Sequence, residues 1–166
     1  HGLSVGHHGL VGKQNQYDHS IRVPFVVVGP DVPKGVTDPT PIYLQDVMPT
    51  TLELAGAHQP EHVFFKSLLS RLGQTKSGAS PKPYESIYGS YLTLQRSITH
   101  DGWKLIIYPN AKVLRLYHVE DDPYEAVDLA ADPECAEKIS QLFDRFIVLQ
   151  RELQDPVDVT YLRPSK

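Results

Sequence analysis

The chain has a single cysteine, Cys135, in 166 residues. That excludes an internal disulfide and any zinc site built from several thiolates, and leaves the redox compartment unread. Clustered basic charge is also missing. The 16 Lys and Arg stand against 20 Asp and Glu, for a net charge of −4, and no stretch is rich enough in cations to track phosphates. Nucleic acid is therefore not an expected partner. The longest apolar runs, around Val26-Val27-Val28 and Leu105-Ile106-Ile107, are strand-sized, so no transmembrane segment is expected. The densest acidic patch, Glu120-Asp121-Asp122, is too short for an acidic tail and reads as an exposed turn. The first residue is His1 rather than Met, which points to a removed natural start.

What is present suffices for a folded core, because hydrophobic residues make up 40% and charged residues 22%. The length fits one domain or two small subdomains. Residues 1 to 22 are rich in Gly and His without regular apolar spacing, the texture of a functional loop. Pro24-Phe25-Val26-Val27-Val28-Gly29-Pro30 reads as a strand buried on both faces. After a Pro/Gly-rich loop, Asp46 is expected to cap a helix that tolerates Pro49 in its first turn and ends at Gly56. Residues 73 to 83 lack large apolar groups and form the clearest linker.

Beyond the linker the pattern changes to short strands at Ser86 to Tyr91, Leu94 to Thr99, Trp103 to Tyr108 and Leu114 to Val119. Asp101-Gly102 signals a hairpin between the second and third, so an antiparallel sheet follows. Finally Asp132 caps and Pro133 occupies the first turn of an amphipathic helix carrying Ile139, Leu142, Phe143, Phe146, Leu149 and Leu153 inward.

Chemistry concentrates in the first segment, where His1, His7, His8, Lys13, His19 and Arg22 alternate with Gly2, Gly6, Gly9 and Gly12. Glycines let backbone approach a ligand, Lys and Arg attract an anion, and imidazoles offer metal ligation or proton transfer. An anion-handling site is one reading. A solvated loop with surface histidines is the other, and on composition alone the commoner one. Elsewhere, Trp103 is expected in the sheet core beside the His100-Asp101 turn rather than in a substrate cleft. Phe64-Phe65 and Leu68-Leu69 should face a core, and Cys135 should be a small semi-buried residue. Pro60 argues against a helical metal pair from His58 and His62.

The segment His-Gly-Leu-Ser-Val-Gly-His-His-Gly-Leu-Val-Gly-Lys-Gln-Asn-Gln-Tyr-Asp-His-Ser-Ile-Arg-Val-Pro, residues 1 to 24, resembles the sulfatase segment that follows the Asp of an Asp-His-Gly or Asp-Asn-Gly turn. The resemblance continues through Asp46 to Gly56, Lys104-Leu105-Ile106, Leu116-Tyr117 and Asp122-Pro123-Tyr124-Glu125 to Asp128-Leu129-Ala130. It implies an α/β fold: the C-terminal part of an alkaline-phosphatase-like core, residues 1–80, followed by an α+β subdomain of antiparallel sheet and long helix, residues 81–166.

The implied function is hydrolysis of a sulfate ester by the parent protein. Lys13 matches the lysine that contacts sulfate, and His8 matches a histidine close to the site in one branch of the family. His1 matches the second member of a metal-binding pair beside a divalent cation, generally calcium. A neutral His1 could instead hydrogen-bond to sulfate oxygen. Arg22 matches a loop organiser. A hard cation prefers oxygen ligands, and the acidic partner of His1 would precede it. Sulfatases use a formylglycine nucleophile made within Cys/Ser-x-Pro-x-Arg. Cys135 lacks that context, so the chain alone is expected to be a catalytically inactive part of an enzyme whose missing N-terminal part is its first partner. The substrate class would be a small-molecule or glycan sulfate ester, and family habit is periplasmic, secreted or lysosomal. The alternatives are a phosphodiesterase or phosphonate hydrolase of the same superfamily, and a non-catalytic binding module.

Overall fold

The computed structural model describes residues 1–73 and 83–164, so the interior of the expected linker, 74–82, lies outside the described residues. The chain forms two compact units, one made of His1–Pro24 with Glu85–Lys166 and the other of Phe25–Tyr84. This differs from the expected division at residue 80. The physical reason is that the first 24 residues are hydrogen-bonded to the sheet of the C-terminal half, as shown below.

The first unit is built on an antiparallel meander of β3 (Ile87–Tyr91), β4 (Gln95–His100), β5 (Trp103–Tyr108) and β6 (Val113–His118) in sequential order. The hairpin signal at Asp101-Gly102 is realised, since both residues have positive φ (49° and 72°) and His100 pairs with Trp103. Positive φ at both central positions matches the right-handed twist of the flanking strands. Ile98, Leu105, Ile107 and Leu116 are buried in one core with α3 (Ala136–Glu152), against its Ile139, Leu142, Phe143, Phe146 and Ile147. Asp132 caps this end as expected, accepting the Glu134 N–H at 2.9 Å. Leu153, expected inward, is exposed because the helix ends before it.

Lys104 and Ile106 alternate with Leu105 and Ile107 on β5, so they point away from α3. Tyr17 joins Ile106 and Tyr117 in a second, smaller core. Both sides of the central strand are therefore covered, one by a helix and one by the start of the chain.

In the second unit, α2 (Val47–Leu54) is followed by Gly56 at φ 68°, and the Ala57 N–H donates to the Leu52 carbonyl at 2.8 Å. That is the glycine stop expected. Asp46 precedes the helix but does not cap it. Its fully buried carboxylate instead accepts from the Tyr43 N–H (2.8 Å), the Lys66 N–H (2.9 Å) and the Tyr84 hydroxyl (2.6 Å). The expected buried strand at residues 24–30 is also corrected. The segment is not a strand, and Val26 and Val28 are 83% and 91% exposed. Among the described residues no strand lies beside it to accept its hydrogen bonds. Leu68 and Leu69 are buried as expected, whereas Phe64 is exposed.

No helix among the described residues is long and apolar enough to cross a membrane.

Candidate active site

The Gly/His segment folds as a tight antiparallel hairpin of β1 (Ser4–Val5) and β2 (Val11–Gly12), with Ser4 opposite Gly12. The turn between them needs left-handed backbone at Gly6, His8 and Gly9. The buried Ser4 hydroxyl lies 3.1 Å from both the His7 and Leu10 carbonyls and holds the turn closed from within.

This register returns the chain at Lys13 beside the stretch leaving His1. Lys13 Nζ donates to His1 Nε2 at 3.0 Å. The other ring nitrogen, Nδ1, lies 3.0 Å from the Gly2 carbonyl and must donate to it. The Nδ1–H tautomer of His1, with its lone pair on Nε2 toward the ammonium, satisfies both contacts together. Both side chains are exposed. Gly2 is fixed by its own N–H, which donates to the Ser20 carbonyl at 2.9 Å. A Cβ on Gly2 would overlap the His19 carbonyl oxygen, so only glycine allows this approach. The structure thus brings Lys13 and His1 together.

His8 goes elsewhere. Its ring stacks on Tyr17 with centroids 3.9 Å apart, and His7 and His19 complete a group of imidazoles with His8 at 4.4 and 5.7 Å. Desolvation lowers the pKa of His8, and the charges that His7 and His19 could carry lower it further. His19 is shifted the same way by desolvation, His7 and Lys104. His8 Nε2 and His19 Nε2 are buried without a hydrogen-bond partner among the described residues. The rings stack rather than converge, so they present no common point to an ion. Arg22 is exposed and reaches Asp18 only at 3.8 Å.

Beneath the hairpin lies a charged centre. Lys104 is fully buried and its ammonium pairs with Asp18 and, at 2.6 Å, with Glu125. It also donates to the Gln16 carbonyl at 3.3 Å, while Glu125 accepts the Asp18 N–H at 2.7 Å. Burial pushes the Glu125 carboxyl upward, and the Lys104 ammonium beside it opposes that rise. Tyr17, Tyr108 and Tyr117 shield the centre, and burial raises the pKa of the last two.

No group of three or more His, Cys, Asp or Glu among the described residues could hold a metal ion. His1 offers one imidazole nitrogen, already accepting from an ammonium, where a hard divalent cation asks for several oxygens. The residues present therefore do not by themselves fit a calcium site.

The sequence singles out Lys13 and His1, whereas the buried centre of Lys104, Asp18 and Glu125 does not figure in that reading. A signal was present. Lys104 is the lone charge inside Trp-Lys-Leu-Ile-Ile-Tyr, a strand apolar on both faces, where an unpaired ammonium would be prohibitive.

The family described as N-sulphoglucosamine sulphohydrolase, C-terminal, matches residues 6–152. Choline-sulfatase of Rhizobium meliloti (strain 1021) is 31% identical over 136 residues, covering 80% of this chain and 26% of the relative. Arylsulfatase K of Mus musculus is 25% identical over 152 residues, covering 85% and 28%. A candidate sulfatase of Bacteroides thetaiotaomicron VPI-5482 superposes with a TM-score of 0.76 at 22% identity, over 96% of this chain and 37% of that one. The chain spans only 11 to 28% of the length of the curated relatives it matches. Its four-stranded antiparallel sheet and long helix are the C-terminal portion of the sulfatase fold, and the chain belongs to the N-sulphoglucosamine sulphohydrolase C-terminal family.

Proposed function

We propose that the chain supplies the sulfate-facing edge of a sulfate-ester hydrolase, with Lys13 as the group that contacts sulfate. The observation that carries this reading is the Lys13–His1 pair, held 3.0 Å apart at the open end of a glycine-rich hairpin. In hydrolysis a sulfate monoester and water give an alcohol and hydrogen sulfate. The S–O bond to the alcohol breaks, and the leaving oxygen takes a proton. Negative charge grows on the oxygens around sulfur as this happens, and a fixed ammonium stabilises it in place. His1 keeps one Nζ–H of Lys13 engaged and leaves two for sulfate oxygens. The family resemblance also gives His1 one position of a cation's coordination shell, a role it could take only on releasing Lys13, since its single Nε2 lone pair serves one partner at a time. The other ligands, the cation itself (calcium on the family resemblance) and a formylglycine nucleophile belong to residues beyond those described, and the chain alone is inactive on this reading. His8, which the resemblance also puts close to the site, sits in the turn of the hairpin stacked on Tyr17 and would brace it. Substrates would be small-molecule or glycan sulfate esters.

The test extends the chain with the coding sequence upstream of residue 1 and assays an aryl sulfate beside the matched aryl phosphate. Lys13→Ala should lower kcat/KM by about 100- to 1000-fold, the loss typical of removing one oxyanion-stabilising donor. Unchanged turnover removes Lys13 from the mechanism. Faster hydrolysis of the phosphate ester would favour the phosphodiesterase reading, and no turnover of either would favour a binding module.

A further inference from the structure

We infer that Lys104 is a positioning residue for the Lys13–His1 pair, acting through residues 15 to 20. This rests on the reading of that pair as sulfate-facing. Two tethers run from the buried ammonium to the pair. In the first, Lys104 holds the Gln16 carbonyl and the Asp18 carboxylate. Asn15 Oδ1 accepts the Tyr17 N–H at 3.1 Å, and the Asn15 N–H donates to the Lys13 carbonyl at 3.0 Å. The second begins where Glu125 binds both Lys104 and the Asp18 N–H, fixing the start of the short helix α1 (Asp18–Ile21). Ser20 in that helix accepts the Gly2 N–H at 2.9 Å, which places His1. Both members of the pair therefore hang from one six-residue stretch, and that stretch is seated on Lys104.

A purely structural role is the competing account, and the molecule contains its own control. Arg96, buried on β4, pairs with Asp155 and donates to the Leu92 and Gln95 carbonyls; it reaches residues 1 to 24 only at one remove, through the Gln95 side chain on the Gln14 carbonyl (3.1 Å), whereas Lys104 holds that stretch directly. Losing either buried cation should destabilise the fold, because a carboxylate is left unpaired. Loss of Lys104, which holds Gln16 and Asp18 directly, should release the hairpin more than loss of Arg96. A shift of about 1 Å at a reacting group can cost on the order of 100-fold in rate.

The experiment is a double-mutant cycle in the parent protein. Lys104→Met should lower kcat/KM for the aryl sulfate by about 10- to 100-fold, the range seen when groups supporting a site are removed. Arg96→Met should lower the melting temperature yet leave kcat/KM within about threefold, since it makes no direct contact with residues 1 to 24. In a Lys13→Ala background the Lys104→Met loss should nearly vanish, because the two act as a unit. Equal losses in both backgrounds, or an active Lys104→Met protein, would overturn the inference. If Lys104→Met does not fold, Glu125→Gln takes its place. It keeps an acceptor for the Asp18 N–H and should show a smaller loss with the same non-additivity. If the parent turns over no sulfate ester, the hydrolase reading fails and the same cycle is read on the Kd of inorganic sulfate. Additive losses there would sink the positioning role separately.

Discussion

The imidazoles of His7, His8 and His19 crowd one another above a buried ammonium, and this has a pH consequence. Desolvation depresses the pKa of His8 and His19 in the folded state, while the unfolded chain titrates near the ordinary value of about 6.5. Above that value neither state binds the protons and stability is complete. As pH falls below it the unfolded chain takes up protons that the folded chain refuses, so stability is lost toward acid until the folded pKa is passed. The melting temperature should therefore fall between pH 7 and 5, and His19→Gln should flatten that slope in a thermal scan. A profile that the substitution leaves unchanged would refute the assignment. At this scale the nearness of Lys13 to His1 was legible because the motif and the hairpin joining them are local. The Lys104 centre was not, since Asp18 and Glu125 come from 86 residues before and 21 residues after it.

The elements of the second half follow their sequence signals closely. The short apolar runs, the Asp-Gly turn and the apolar helical spacing give a sheet and a helix that cover one another within the same stretch of chain, while the other face of β5 is covered from Tyr17. Phe146 shows the strength of that match, being fully buried and stacked on Tyr88 with centroids 5.2 Å apart. Phe146→Ala should cost about 3–5 kcal/mol of stability, read from urea denaturation, since the cavity lies between a helix and a sheet that cannot easily collapse. A loss below about 1 kcal/mol would mean that α3 is not seated on the sheet as described. Residues 24–30 fail for the complementary reason. A β-branched apolar run promises a buried strand only where other strands flank it.

Across the described residues, exposed apolar groups mark surface prone to association. Val26 and Val28 are almost wholly exposed on a segment outside any helix or strand, an arrangement that favours association. The chain expressed alone should self-associate with rising concentration in sedimentation velocity, and a Val26→Lys/Val28→Lys variant should shift the population toward monomer. An unchanged distribution would place the contact elsewhere. The membership of the family, the antiparallel sheet, the terminal helix and the nearness of Lys13 to His1 could all be read from residue order, because each depends on spacing over a few to a few tens of residues. The seating of the first 24 residues on the outer face of β5, the retreat of His8 into a stack, and the buried centre at Lys104 could not. They depend on which distant segments cover a sheet face, and that is settled by the need to pair one buried ammonium with carboxylates the linear order keeps far apart.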